Sequence, residues 1–285
     1  MKIGLLGLIS SDLTDVSYDM LRFAADLGFQ GVGAHLSVPA DRIAEDVAAR
    51  VPGLFKDQKL DLFQLAGPYP PIISRDEDVR AAGVRGAQNV AKLAARMGVK
   101  ESLVRPTSMS PRGDYSPHRD NYLPETEERL VRSISEVLEV AEPLGVDIAL
   151  EAHMTTTLRS PEVIRRVIEK TGSKHLKVNM DLCNFMGDLA IAFNPAPFIH
   201  HAFDLLGDYI SMIHLKDFYF EDRLVVHVSE TVIGTGELDF APILQRAHAW
   251  NPAGYLVIEH LPMALVPLAK RNLNALLKAG GYPLG

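Results

Sequence analysis

One cysteine, Cys183, occurs in 285 residues, so no disulfide can form within the chain. A reducing compartment, the cytoplasm, is the expected setting. Positive charge is also short: 29 Lys and Arg stand against 36 Asp and Glu, a formal net charge of −7. Nucleic acids and anionic membranes recruit basic surfaces, because positive groups must replace their counterions, so neither is an expected partner. No apolar run approaches the roughly 18 residues of a membrane span. The run after Lys2 is broken by Ser10, Ser11 and Asp12, which is too short for a secretory leader. Gly7-Leu8-Ile9-Ser10-Ser11 lacks the G-x-G-x-x-G turn of a dinucleotide-binding open sheet. What is present is a chain 47% apolar and 23% charged, enough to bury a large core.

Short apolar runs alternate with longer amphipathic stretches along the whole chain. The runs cover residues 3–7, 31–35, 60–66, 102–105, 147–151, 176–181, 210–216 and 255–259. Each is rich in Val, Ile or Leu and too short for a typical helix, which predicts strand. Helical patterns over 18–27, 79–97, 125–144 and 161–170 are followed by Gly28, Gly98, Gly145 and Gly172, the residue that best supplies a left-handed cap. Ser160-Pro161-Glu162 reads as an N-cap, a first-turn proline and an acid on the positive end of the helix dipole. Strand, helix and glycine in repetition predict parallel strands joined by crossover helices. Eight such units in this length predict one (β/α)8 TIM barrel, an α/β fold, over residues 1–285 as a single domain. The Pro- and Ser-rich stretch 106–124 is then a long loop after the fourth strand, at the barrel end where active sites form.

The strands end in ionisable groups. The fifth ends Leu150-Glu151-Ala152-His153, the sixth Asn179-Met180-Asp181, the seventh Ile213-His214-Leu215-Lys216-Asp217 and the eighth Val257-Ile258-Glu259-His260. An uncompensated charge at a buried strand end costs several kcal/mol, on the order of a few pKa units. Glu151, Asp181, His214 and Glu259 come from four successive strands, whose C-terminal ends converge on one barrel mouth. Three carboxylates and one imidazole suit one divalent ion with open positions: Mn²⁺ as the leading choice, with Mg²⁺, Co²⁺ and Zn²⁺ as alternatives.

These segments, with Gly234-Thr235-Gly236-Glu237-Leu238-Asp239-Phe240, are similar in kind and order to the xylose isomerase-like TIM-barrel superfamily, also called the sugar phosphate isomerase/epimerase or AP endonuclease type 2 family. The resemblance covers the second half of the chain. It implies that Glu151, Asp181, His214 and Glu259 bind one divalent metal, and that Glu151 and Glu259 flank the substrate as an acid/base pair. The implied chemistry is proton transfer beside the carbonyl of a keto sugar, inosose or related polyol. A lyase that eliminates a β-group from a 3-keto-glycoside, working with a small second subunit, shares the first step. A non-catalytic sugar-binding barrel is the reading from another class. Ketose 3-epimerases of this superfamily carry a glutamate, a histidine and an arginine where this chain has Thr157, Asn184 and Phe220, so free-ketose 3-epimerisation loses its clamps. Trinuclear zinc endonucleases need further histidines, and Asn184, Ser229 and Thr231 stand near those places.

Other residues are expected around this centre. His153 and Lys216 lie two residues after Glu151 and His214, on the same face if the strands continue. Both are candidate catalytic groups, Lys216 as a donor to a developing oxyanion. Arg105, His35 and Gln64, at the ends of the fourth, second and third strands, are candidate substrate contacts, as are Asn184 and His227. Asp217 is expected to brace a neighbour. The expected partner is a small carbohydrate, with a homo-oligomer as a possible assembly.

Overall fold

The apolar runs are strands because each buries both faces, one against a helix and one inside a closed sheet. The computed structural model describes residues 1–283. Seven strands come first: β1 (Lys2–Ile9), β2 (Gly31–His35), β3 (Asp61–Ala66), β4 (Glu101–Val104), β5 (Asp147–Glu151), β6 (Leu176–Asp181) and β7 (Ile210–Leu215). A hairpin of β8 (Asp217–Phe220) and β9 (Val228–Thr231) follows, and then β10 (Tyr255–Ile258). All but the hairpin form a closed parallel barrel in the order β1-β10-β7-β6-β5-β4-β3-β2. The expected (β/α)8 TIM barrel is the fold.

The helices between them are α1 (Tyr18–Asp26), α2 (Glu45–Asp57), α3 (Glu77–Arg96), α4 (Pro124–Ala141), α5 (Pro161–Thr171), α6 (Leu189–Phe193), α7 (Pro195–Leu206), α8 (Phe240–Trp250) and α9 (Val266–Ala279). Their ends follow local chemistry. The Ser160 side chain accepts the Val163 amide at the start of α5, as the sequence predicts. Gly28, Gly98, Gly145 and Gly172 all take positive φ, where a Cβ would be strained. Among the described residues, no helix is long and apolar enough to cross a membrane.

The barrel interior departs from simple alternation at β3. Val32 pairs with Leu62, but Ala34 pairs with Leu65, so β3 carries an extra residue opposite β2. Such a bulge breaks the two-residue period. Phe63 packs on the interior cluster of Leu6, Met212 and Val257. Its neighbour Gln64 is also turned inward, fully buried, with Nε2 donating to Glu101 Oε1 at 2.5 Å. Gln64 therefore does not reach the mouth. That corrects its expected role as a substrate contact, and the bulge is the reason.

Glu101, at the start of β4, is a buried carboxyl pushed up to about 7 from an ordinary value of 4.5. Burial is the main cause, opposed by the Ser211 and Gln64 side chains. The unfolded chain loses this proton near pH 4.5, whereas the folded chain holds it to about pH 7. Stability therefore falls as pH rises through that window, by about 3 kcal/mol. Glu101→Gln is expected to be more stable than wild type at pH 8 and no more stable at pH 4, as urea unfolding at both values will show.

Candidate metal centre

Register delivers the cluster. Asp181 and His214 are direct Cα partners across β6 and β7. Val257 pairs with His214 across β10 and β7, so Glu259, two residues on, stands just above that level. Glu151 is the last residue of β5. One ligand atom from each of Glu151, Asp181, His214 and Glu259 lies within 4.8 Å of the others, and all four residues are buried. Among the described residues, this is the one group of three or more such side chains placed to share an ion.

Polar contacts surround the imidazole. His214 Nδ1 lies 3.0 Å from Glu259 Oε1 and 3.4 Å from Glu151 Oε1, while its Nε2 lies 3.1 Å from Asn179 Nδ2. Lys216 closes the other side. Its Nζ is 2.7 Å from Asp181 Oδ2, 3.1 Å from Glu259 Oε1 and 3.2 Å from Asn184 Oδ1, to which it donates. Asp181 Oδ2 thus faces an ammonium, whereas Asp181 Oδ1 and Glu151 Oε1 are buried with no hydrogen-bond donor. Orphaned buried carboxylate oxygens are costly. A donor set of three carboxylates and one imidazole with such free oxygens fits a divalent cation.

The titration pattern follows from crowding. Burial and the Glu259 charge raise Glu151, but His214 and Lys216 outweigh them and its carboxyl falls below the ordinary value. Burial opposes ionisation of Glu259, yet His214 and Lys216 hold it well below that value. Asp181 is pushed up to about 6, mainly by burial. Burial opposes the charge on His214 too, but Glu259 and Glu151 prevail and raise it to about 10. Lys216, against the same desolvation, is held well above its ordinary value by Asp181, Glu259 and Glu151.

Above the cluster lies a cavity of about 260 Å³, lined in part by His35, Arg105, Tyr115, Glu151, Glu259 and His260. Of the expected substrate contacts, His35 and Arg105 line it, and Asn184 reaches the cluster through Lys216. The His35 Nε2 atom is buried without a partner, and burial lowers this imidazole's pKa. Arg105 pairs with Asp114, donates to the Gly67 carbonyl at 2.9 Å and lies over the Tyr69 ring. His153 sits beyond the end of β5, so strand alternation no longer directs it. Its Nδ1 is 2.7 Å from Thr155 Oγ1, and its ring lies 5.7 Å from that of Tyr115.

His227 is not brought to the cluster. It is exposed beside β9, with Nδ1 2.7 Å from the Val225 carbonyl. The hairpin carries it outward, which corrects its expected role as a substrate contact. The same hairpin supplies a residue the sequence reading missed: Glu230, 4.0 Å from Lys216 Nζ and 3.4 Å from His260 Nδ1. His260 itself takes a left-handed φ of 58° directly after Glu259. No pattern in the sequence points to Tyr115 either, although the loop that carries it is expected on this face; its hydroxyl donates to Glu151 Oε2 at 2.8 Å. Asp217 braces the Gly-rich segment after the hairpin, accepting the amides of Phe218, Gly234, Gly236 and Leu238. Any Cβ on Gly236 would collide with Asp217 and the Phe218 carbonyl, which explains glycine there.

Comparison with known proteins gives a consistent picture. The family described as xylose isomerase-like TIM barrel matches residues 21–278. A rhizopine catabolism protein, MocC, of Rhizobium meliloti is 26% identical over 212 residues, 70% of this chain. The aligned stretch spans 62% of that relative's length. The structure of a D-tagatose 3-epimerase-like protein superposes with a TM-score of 0.74 at 20% identity, covering 99% of this chain and 98% of its own. A xylose isomerase-like TIM-barrel protein from Mycobacterium smegmatis, in complex with magnesium, superposes with a TM-score of 0.70 at 15% identity, covering 97% and 95%. At these identities the structural likeness establishes the barrel.

Proposed function

The chain belongs to the xylose isomerase-like TIM-barrel family, and from that premise we propose that it is a divalent-metal-dependent isomerase or epimerase. Its substrate is an uncharged keto sugar, inosose or related polyhydroxy ketone, and its reaction is proton transfer beside the carbonyl. The observation that carries this reading is the set of four buried donors within 4.8 Å at the barrel mouth, with Glu151 Oε1 and Asp181 Oδ1 left without hydrogen-bond donors. Glu151, Asp181, His214 and Glu259 would hold the ion, which when bound supplies Lewis-acid polarisation of a substrate carbonyl.

The chain's own residues supply the rest. Glu151 and Glu259 both face the cavity, and both are held ionised by His214 and Lys216. One, as carboxylate, takes the proton from the carbon next to the carbonyl; the other, once it has taken up a proton from solvent, delivers it to that carbon or its neighbour, and loss of the first proton to solvent restores both carboxylates. Lys216, kept protonated by three acids, donates to the substrate oxygen on which negative charge develops. The neutral His35 offers its unpartnered nitrogen to a hydroxyl.

Charge at the mouth supports a neutral substrate. Arg105 is paired with Asp114, Lys216 with Asp181 and Glu259, and His260 with Glu230. A phosphate ester would have to break one of these pairs to find a cation. The likeness to a D-tagatose 3-epimerase-like protein agrees with sugar chemistry on this barrel.

The test is proton NMR in D₂O with Mn²⁺-loaded protein and a panel of ketoses, inososes and 3-keto-glycosides. Deuterium entering beside the carbonyl, with the carbon skeleton and every oxygen retained, is the expected result. Release of water or of an aglycone assigns a lyase instead. No exchange across the panel with metal bound overturns the reading.

A further inference from the structure

The two oxygens of Glu151 are treated differently by their surroundings. Oε2 accepts the Tyr115 hydroxyl at 2.8 Å. Oε1 has no hydrogen-bond donor and lies 3.4 Å from His214 Nδ1, inside the donor cluster. Neither of the other two carboxylates accepts a hydroxyl, and the second oxygen of Glu259, Oε2, lies 3.8 Å from His260 Nε2. Glu259 Oε1 is shared by His214 and Lys216, and Asp181 meets Lys216.

Tyr115 does not come from a barrel strand. It belongs to the long loop between β4 and α4, and that loop is fastened on both sides of it. Asp114 pairs with Arg105. Thr155 Oγ1 donates to the Tyr115 carbonyl at 2.7 Å, and Asn121 Nδ2 donates to the Thr155 carbonyl at 2.9 Å. The Tyr122 hydroxyl bonds the Met154 carbonyl. The Tyr115 ring also rests against His153, with centroids 5.7 Å apart. The phenol is therefore aimed by its own loop, independently of the bond it makes to Glu151.

We propose that Tyr115 is a positioning residue that holds Glu151 as a one-oxygen metal donor, with Oε2 tied to the phenol and Oε1 turned into the cluster. This rests on the metal reading above. A carboxylate free to rotate can offer both oxygens to a cation and so fill a position that a substrate oxygen needs. A neutral O–H donor on one oxygen prevents that rotation without adding charge. Partners of metal ligands are commonly worth about 10- to 100-fold in metal affinity or activity.

The experiment compares wild type, Tyr115→Phe and Tyr122→Phe. Phe at 115 keeps the ring against His153 and removes only the hydroxyl. Tyr122→Phe cuts another tether of the same loop without touching the acids. Mn²⁺ affinity is measured by calorimetry on metal-stripped protein, with kcat and KM read at saturating Mn²⁺. Tyr115→Phe is expected to weaken Mn²⁺ binding by about 10- to 100-fold and to lower kcat with little change in KM, while Tyr122→Phe binds Mn²⁺ as wild type does. Wild-type affinity in Tyr115→Phe overturns the assignment and leaves the metal reading standing. An equal loss in Tyr122→Phe overturns it in favour of simple loop anchoring. Wild-type protein that binds no Mn²⁺ overturns the metal reading and this assignment with it.

Discussion

Glu259→Gln is expected to lower turnover by about 10²- to 10⁴-fold, the usual worth of a positioned acid or base, and to weaken Mn²⁺ binding in the same protein. The substitution keeps the shape of the side chain and removes its charge. That charge lies 3.0 Å from His214 Nδ1 and 3.1 Å from Lys216 Nζ, with only 3% of the residue exposed. One change thus removes a donor, a proton carrier and the counter-charge of two cations. Glu151→Gln is expected to cost a similar amount of turnover, since it faces the same cavity and the same imidazole. Exchange of the substrate C–H proton into D₂O, followed at saturating Mn²⁺, measures the loss directly. Wild-type exchange in either variant, together with full activity of metal-stripped protein, would sink the mechanism.

Lys216→Met is expected to destabilise the metal-free protein by about 3–5 kcal/mol, the cost of removing one partner from a buried ion pair. Lys216 is buried between Asp181 and Glu259, and methionine fills the space without the charge. The acids it leaves behind are buried, Asp181 fully and Glu259 nearly so. Mn²⁺ should then restore more stability to the variant than to wild type, because the ion replaces a cation as well as joining a donor set. At a thousand times its Kd, a bound ligand contributes about 4 kcal/mol. Urea unfolding with EDTA and with excess Mn²⁺ reads both effects. Equal metal-free stability of the two proteins would show that Lys216 does not balance the cluster. Turnover at saturating Mn²⁺ should still fall, by about 10²- to 10³-fold, if the ammonium meets the developing oxyanion.

Much of this molecule is legible in one dimension. The barrel follows from eight short aliphatic runs, the glycines after the helices and the absence of a phosphate-binding turn, because burial on both faces and helix termination are local demands. The four donors were visible for a related reason. Glu151, Asp181, His214 and Glu259 each close an apolar strand, where an unneeded charge is expensive. Tertiary pairing still sets their level: β7 carries an extra residue opposite Val178 and Asn179 of β6, and that shift brings Asp181 opposite His214.

Tertiary structure alone decided the rest, wherever a residue's direction depends on something other than its own strand. Gln64 reads as a mouth residue by position, yet an extra residue in β3 turns it into the barrel interior beside Glu101. His227 reads as a substrate contact, yet pairing of β8 with β9 leaves it in solvent while Glu230, three residues on, reaches Lys216. Tyr115 sits in a loop whose sequence carries no period, and its place on Glu151 comes from the contacts of Asp114, Thr155 and Asn121. The sequence by itself thus determined the scaffold and the donors, because periodicity and strand ends are set by neighbours in the chain. Which oxygen each donor exposes, and which cation answers it, was decided by loops and bulges, because those contacts join residues that local pattern does not relate.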